Sequence, residues 1–501
     1  MARLAISLSL LVYWASLSRA LPGIEERAAA SSLLSNASAT ASGAASATSA
    51  AASPLPASAT VSAPPEFETV PPASSNPNAP IFPVGDANVE NPQATRGSLG
   101  SSILGPNNLQ VTQQNPDFLA PPTTDNGDVM NAKWPFAMSH NRLQTGGWAR
   151  QQNIEVMPIA TQMAGVNMRL EKGAIRELHW HKTSEWAYVL KGTTQITAID
   201  QDGKNFLANV GPGDLWYFPP GIPHSLQATG DDPDGTEFLL IFDEGDFSEG
   251  SYSQYVWVWR QALSGATGVT CCRHYPERAD DVPIDATFLL TDWMAHVPMD
   301  VLSKSFGLPI SAFDHIPSKE LYIFPAEAPT GETAVSDPAG QIPNPFSYAL
   351  SQDPVTPLNG GTVKIVDSTK FKASTTIAAA DVTVEPGAIR ELHWHPTQDE
   401  WTFFISGQAR MTLFAAQSNS RTFDYQAGDI GYVPASFGHY VENVGNDTLH
   451  FLEIFKSDRF QDISLSQWMA LTPPALVKAH LGFDDATIAM LNKTKQTVIQ
   501  G

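Results

Sequence analysis

The chain has 501 residues, 42% of them hydrophobic, with 29 Lys and Arg against 51 Asp and Glu and a formal net charge of -22. That length predicts a few domains, and the acidic balance argues against a nucleic-acid partner, which needs clustered basic side chains to neutralise phosphate. The two cysteines, Cys271 and Cys272, are adjacent and cannot staple a fold, which excludes a disulfide scaffold.

At the N-terminus, Arg3 precedes the apolar run Leu4 to Trp14 and the small residues around Ser18-Arg19-Ala20. This reads as a secretory signal peptide over residues 1–20. The run is shorter than the ~20 residues of a bilayer span, and no later segment reaches membrane length without charge. Residues 21–125 read as a disordered tail. Between Ala28 and Pro65 it is almost entirely Ala, Ser, Thr and Pro, with no charged or aromatic side chain. Such a stretch cannot offset its chain entropy by burial. Glycosylation triplets at Asn36, Asn446 and Asn492 agree with export, and the tail is of a kind that can be retained at a cell wall.

Beyond the tail the chain repeats itself. Gly173-Ala-Ile-Arg-Glu-Leu-His-Trp-His181 recurs letter for letter as Gly387 to His395, an offset of 214 residues. The match continues from Glu185-Trp186 to Glu400-Trp401 after a one-residue slip. It then runs from Gly213-Asp214, Pro219 and His224 to Gly428-Asp429, Pro434 and His439. Two copies of one module follow, over residues 126–325 and 326–501. Each is rich in β-branched and aromatic segments separated by Gly and Pro turns, as in Trp186-Ala-Tyr-Val-Leu and Trp401-Thr-Phe-Phe-Ile. Short strands at regular spacing predict an all-β fold of two tandem barrels. Helical pattern is confined to Leu290–Phe306 and to the stretch between Ser464 and Leu491.

On a strand, His179 and His181 point to one face. Glu185 follows closely, and His224 arrives from a later strand. Three imidazoles and one carboxylate make a mixed N/O set suited to Mn or Fe. The same set recurs as His393, His395, Glu400 and His439. A lone histidine is usually a satisfied core residue; eight positions repeating together are not.

These spacings resemble the two cupin motifs, with Ser436 in place of the glycine at 221 and Asn443 matched by Ala228. Arg-Glu-Leu-His-Trp-His, Gly-His-Tyr-Val-Glu-Asn (438–443) and Phe-Leu-Glu-Ile-Phe (451–455) resemble the bicupin oxalate decarboxylases. The resemblance implies two double-stranded β-helix (jelly-roll) barrels with one Mn each, and conversion of oxalate to formate and CO2 with O2 required. It also implies trimers or hexamers of the chain. It places Arg176 and Arg390 in the metal pockets, to hold and polarise an oxalate carboxylate. Spacing alone does not: Arg176 lies three residues before His179, so a regular strand would turn it away unless it bends. An ion pair with Glu177 or Glu391 is the alternative role for these arginines.

For proton transfer the resemblance offers Glu249, in a segment similar to the family's mobile lid, and Glu453 in the second copy, where the first has Leu240. Glu249 is the preferred acid. Between the lid and the segment that resumes at Asp285, residues 250–284 read as an insertion, either a genuine addition to the lid or a retained intron. Two other readings stand beside decarboxylation: oxalate oxidation to CO2 and hydrogen peroxide, and a catalytically silent metal-binding or storage bicupin.

Overall fold

The structure, a computed structural model, describes residues 124–248, 287–331 and 333–501, together with positions 111, 115 and 122. The signal peptide, nearly all of the tail, and the segment 249–286 with Glu249, Cys271 and Cys272 lie outside the described residues.

Each module is a pair of facing antiparallel sheets. In the first, one sheet is built around Ala164–Leu170, Thr236–Phe242, Glu185–Lys191 and Leu215–Phe218. The other carries Ile175–His181, His224–Ala228, Thr194–Ile199 and Asn205–Val210. The second module repeats the plan. Ala378–Val384, Leu449–Phe455, Glu400–Ser406 and Asp429–Val433 face Ala388–Trp394, His439–Asn443, Gln408–Phe414 and Ser420–Gln426. The fold is therefore the expected β jelly roll, with sheets that stay open at their edges instead of closing by hydrogen bonds.

Strands such as Leu215–Phe218 and Asp429–Val433 are buried along their whole length, because aromatic and β-branched side chains fill both faces. Helices occur where the pattern predicts them, at Leu290–Ala295, Met299–Phe306, Leu465–Leu471, Pro474–Leu481 and Asp485–Ala489. Among the described residues no helix is long and apolar enough to cross a membrane.

The modules exchange edge strands across the 325/326 division. Lys133–Pro135 precedes the first module's sheets but pairs with Asp429–Val433 of the second, Lys133 opposite Gly431. Reciprocally, Ser347–Tyr348 pairs with Leu215–Phe218 of the first. The motif aspartates anchor both exchanges: Asp214 accepts a hydrogen bond from Ser351 N at 2.9 Å, and Asp429 takes the Lys133 ammonium at 3.1 Å. Between the modules, Trp401 Nε1 donates to Gln152 Oε1 at 2.7 Å. The same indole covers Gly165, where any Cβ would lie 2.3 Å from the ring.

Lys133 and Asp429 are both buried. Burial raises the Asp429 carboxyl above its ordinary range, and the Lys133 charge only partly counters this. Removing one partner of such a pair leaves an uncompensated charge in the core. Lys133→Met is expected to cost about 3–5 kcal/mol of stability in denaturant unfolding, and Lys133→Met/Asp429→Asn is expected to recover part of that loss.

Candidate metal centres

The three histidines and the glutamate of each set come from opposite sheets. His179 and His181 lie on Ile175–His181 and His224 begins His224–Ala228, adjacent strands on which His224 and His179 are direct partners. Glu185 begins Glu185–Lys191 in the facing sheet. Its Oε2 lies 3.2 Å from His181 Nε2 and 3.4 Å from His224 Nε2. In the second module Glu400 Oε2 lies 2.9 Å from His395 Nε2 and 3.2 Å from His439 Nε2. The extra residue before Glu400 is taken up in the turn, since Glu400 also begins its strand. Within each cluster the ligand-type atoms all lie within 4.8 Å of one another, and every residue is buried.

Backbone contacts aim the rings. Nδ1 of His224 donates to Ile222 O at 2.8 Å and Nδ1 of His393 to Glu391 O at 2.6 Å, which leaves Nε2 turned into the cluster. His179 is held in the same way by Glu177 O. The far carboxylate oxygen is held differently in the two copies. Trp216 Nε1 donates to Glu185 Oε1 at 2.8 Å, whereas Thr402 Oγ1 donates to Glu400 Oε1 at 2.6 Å. Phe218 stacks on His224 at 4.1 Å between centroids, and Phe242 and Phe247 pack against His181.

A divalent cation fits both clusters. Glu185 Oε2 and His393 Nε2 are buried yet make no hydrogen bond, which is costly unless an ion completes them. Protonation states agree. Burial, reinforced by the Arg176 charge and the neighbouring imidazoles, pushes His179 well below the ordinary 6.5. His393 is lowered likewise, with Arg390 as the charge. Burial alone would raise Glu185; His224 and His181 outweigh it and hold the carboxyl well below its usual value. Neutral imidazoles and an ionised carboxylate are what a metal requires.

The bend that Arg176 needs is a β-bulge. Leu226 pairs with Arg176 and His224 with His179, so three steps on one strand match two on the other. The second copy has the same shift, with Val441 opposite Arg390 and His439 opposite His393. One extra residue restores Arg176 to the inward face, and both arginines are fully buried. Glu177 is not the partner of Arg176. It accepts hydrogen bonds from Thr291 N and Oγ1, Leu321 N and Tyr322 N. Tyr322, which sequence reasoning missed, is held in a left-handed conformation (φ 57°) with its ring 4.2 Å from the Arg176 guanidinium. The substitution at 436 keeps its turn: Ser436 takes φ 68° where Gly221 takes 79°.

Arg390 has carboxylate partners. Its Nε donates to Glu453 Oε1 at 3.0 Å and its Nη2 to Asp462 Oδ2 at 2.9 Å. Asp462 was also missed from sequence, and Lys495 pairs with it on the other side.

Two outcomes follow from these clusters. Loaded with Mn and assayed for metal, the wild type should carry two ions per chain and His181→Ala about one. The metal-free chain should lose stability as pH falls below about 6.5, because the unfolded state then binds protons on His179 and His393 that the folded state refuses. Denaturant midpoints of chelator-treated protein should decline from neutral pH into the acid range; a flat profile would contradict the buried neutral histidines.

Residues 139–266 and 347–489 match the family model for Cupin. The oxalate decarboxylase of Bacillus subtilis is 46% identical over 411 residues, covering 82% of this chain and 97% of the relative. An oxalate decarboxylase of Arthroderma benhamiae is 40% identical over 414 residues, covering 81% of this chain and 93% of its own. A solved structure of the Bacillus subtilis enzyme, described for its Mn(II) centres, superposes with a TM-score of 0.73 at 46% identity, over 82% of this chain and all of that one. With both modules matched by the family model and the relatives matched nearly end to end, the chain belongs to the bicupin oxalate decarboxylase family.

Proposed function

We propose that this protein is an exported, Mn-dependent enzyme that decarboxylates oxalate to formate and CO2, with O2 as a required cofactor. The observation that supports it best is the bulge that brings a buried arginine to the inward face beside each His3Glu cluster. A guanidinium there matches a carboxylate in charge and in its two-pronged geometry. The exposed positions of Asn446 and Asn492 suit an exported glycoprotein.

When bound, manganese supplies Lewis acidity and, with dioxygen, the electron withdrawal that weakens the oxalate C–C bond. The chain's residues do the rest. Arg176 holds one carboxylate and stabilises charge as the bond breaks. Tyr322, fixed by Glu177, walls the far side of that guanidinium. Phe242 and Phe247 line His181 and help keep water out. The balance is one C–C bond broken, CO2 released, and one proton delivered to the carbon that becomes formate. We assign that proton to Glu249. Glu453 is the second-pocket candidate, and its engagement with Arg390 favours Glu249.

The test is oxalate turnover by Mn-loaded protein with formate and peroxide measured together. Formate without peroxide is expected; peroxide without formate would replace decarboxylation by oxidation, and neither product would leave a silent bicupin. Arg176→Lys keeps the charge but loses the fork, and should lower kcat/KM roughly a hundredfold or more at unchanged metal content.

A further inference from the structure

Beside the ligands, both copies build the same small device from unlike residues. Phe242 ends its strand in the first copy and Phe455 in the second. The phenylalanine five residues farther on, Phe247 or Phe460, packs on the second histidine of the set, His181 or His395. Neither ring is placed by a sheet, because each lies beyond the strand that leads to it. The group that holds it is the first residue after a different strand. Asn153 follows Gly147–Gln152, and Asp367 follows Gly361–Val366, the equivalent strand of the second module. Both side chains are buried.

In the first copy Asn153 Nδ2 donates to Phe247 O at 3.2 Å, and its Oδ1 accepts from Glu155 N at 3.1 Å. Those two partners fix the amide in one orientation. On either side the two segments run together: Ile154 N donates to Gly245 O at 2.7 Å, and Gln151 Nε2 to Ser248 Oγ at 3.2 Å. Gly245 permits the approach, since a Cβ there would lie 2.3 Å from Ala160 O. Phe247 then lies flat on Phe242, 3.4 Å between centroids, with its ring at a steep angle to His181. The second copy reverses the polarity. The Asp367 carboxylate accepts from Phe460 N, and from Arg459 Nε at 3.0 Å. Ser368 N donates to Asp458 O at 2.9 Å, in the place of the Ile154 to Gly245 bond. An amide donating to a carbonyl in one copy is a carboxylate accepting from an N–H in the other, yet the same aromatic reaches the same histidine.

We infer that Asn153 and Asp367 are positioning residues that hold Phe247 and Phe460 against the ligand histidines and so keep water from the two metal sites. The inference rests on the reading that both clusters hold Mn, and not on the identity of the substrate. Each ring covers one histidine of its own cluster, and each is tethered by a group from a neighbouring strand of its own module. Removing that group frees the turn after Phe242 or Phe455 to lift by local opening. Water and solutes then reach one cluster, while the other keeps its cover.

The experiment follows the loss of protein-bound Mn from full-length, two-Mn protein into excess EDTA, together with water proton relaxation in the same samples. Asn153→Ala should release one of the two ions roughly two- to tenfold faster, the effect of removing one buried hydrogen bond. It should also raise the water relaxation, while the other ion leaves at the wild-type rate. Asp367→Ala should do the same to the other ion, and the double variant to both. Phe247→Ala should match Asn153→Ala, and Phe247→Ala/Asn153→Ala should be no faster than Phe247→Ala, since the two act as a unit. General loosening of the fold would speed both ions, so acceleration of both by one anchor variant overturns the proposal. Unchanged release from Asn153→Ala overturns it too, as does a further gain when Asn153→Ala is added to Phe247→Ala. A wild type that does not take up two Mn removes the metal reading and this inference with it.

Discussion

A carboxylate from one sheet set against three imidazoles from the sheet facing it is the constraint on which each module turns. Glu185 and Glu400 are fully buried anions at the heart of a β sandwich, a position that is costly without a compensating cation. A divalent ion held by these residues would link the two sheets. The backbone acceptors behind His179, His224 and His393, and the aromatic rings packed edge-on or tilted against His181 and His395, keep the donor atoms converged before the ion arrives. Preorganisation of this kind spares the metal the entropy of gathering its ligands.

Much of this was legible in the sequence because it is written twice. Eight ligands stood out through repetition, and strand spacing was enough to put His179 and His181 on one face. Arg176 was different: period-two reasoning points it outward, and only pairing with the strand of His224 reveals the extra residue that turns it in. A bulge has no reliable letter signature: the shift falls between Arg176 and His179, and neither Glu177 nor Leu178 marks it. Asp462 could have been found by counting from Phe460 as Glu249 is counted from Phe247, but attention to acids aligned by strand led to Glu453 instead. Edge exchange was invisible, since Lys133–Pro135 and Ser347–Tyr348 are too short to carry a pattern.

Duplication supplied two equal pockets, and their later differences are small. Leu240 occupies the position of Glu453, Trp216 in one copy and Thr402 in the other hold the ligand carboxylate, and Tyr322 and Lys495 reach their arginine environments from the segments that precede the strands Ile323–Phe324 and Val498–Gln500. Each change leaves the ligand set intact and alters what surrounds the arginine or what holds the ligand glutamate. Both copies nevertheless keep the same shared fold around the same four ligand types.

The exchanged edge strands also govern how the chain is made. During synthesis Lys133 leaves the ribosome long before Gly431, its partner in the sheet. At about 5–20 residues per second the wait is roughly 15 to 60 s, during which a strand of the first half stays unpaired. The second half, in turn, finds the edge strand 215–218 already waiting for Ser347–Tyr348. Neither half is finished until both exist, so a truncated product exposes an open sheet edge and is a ready target for quality control.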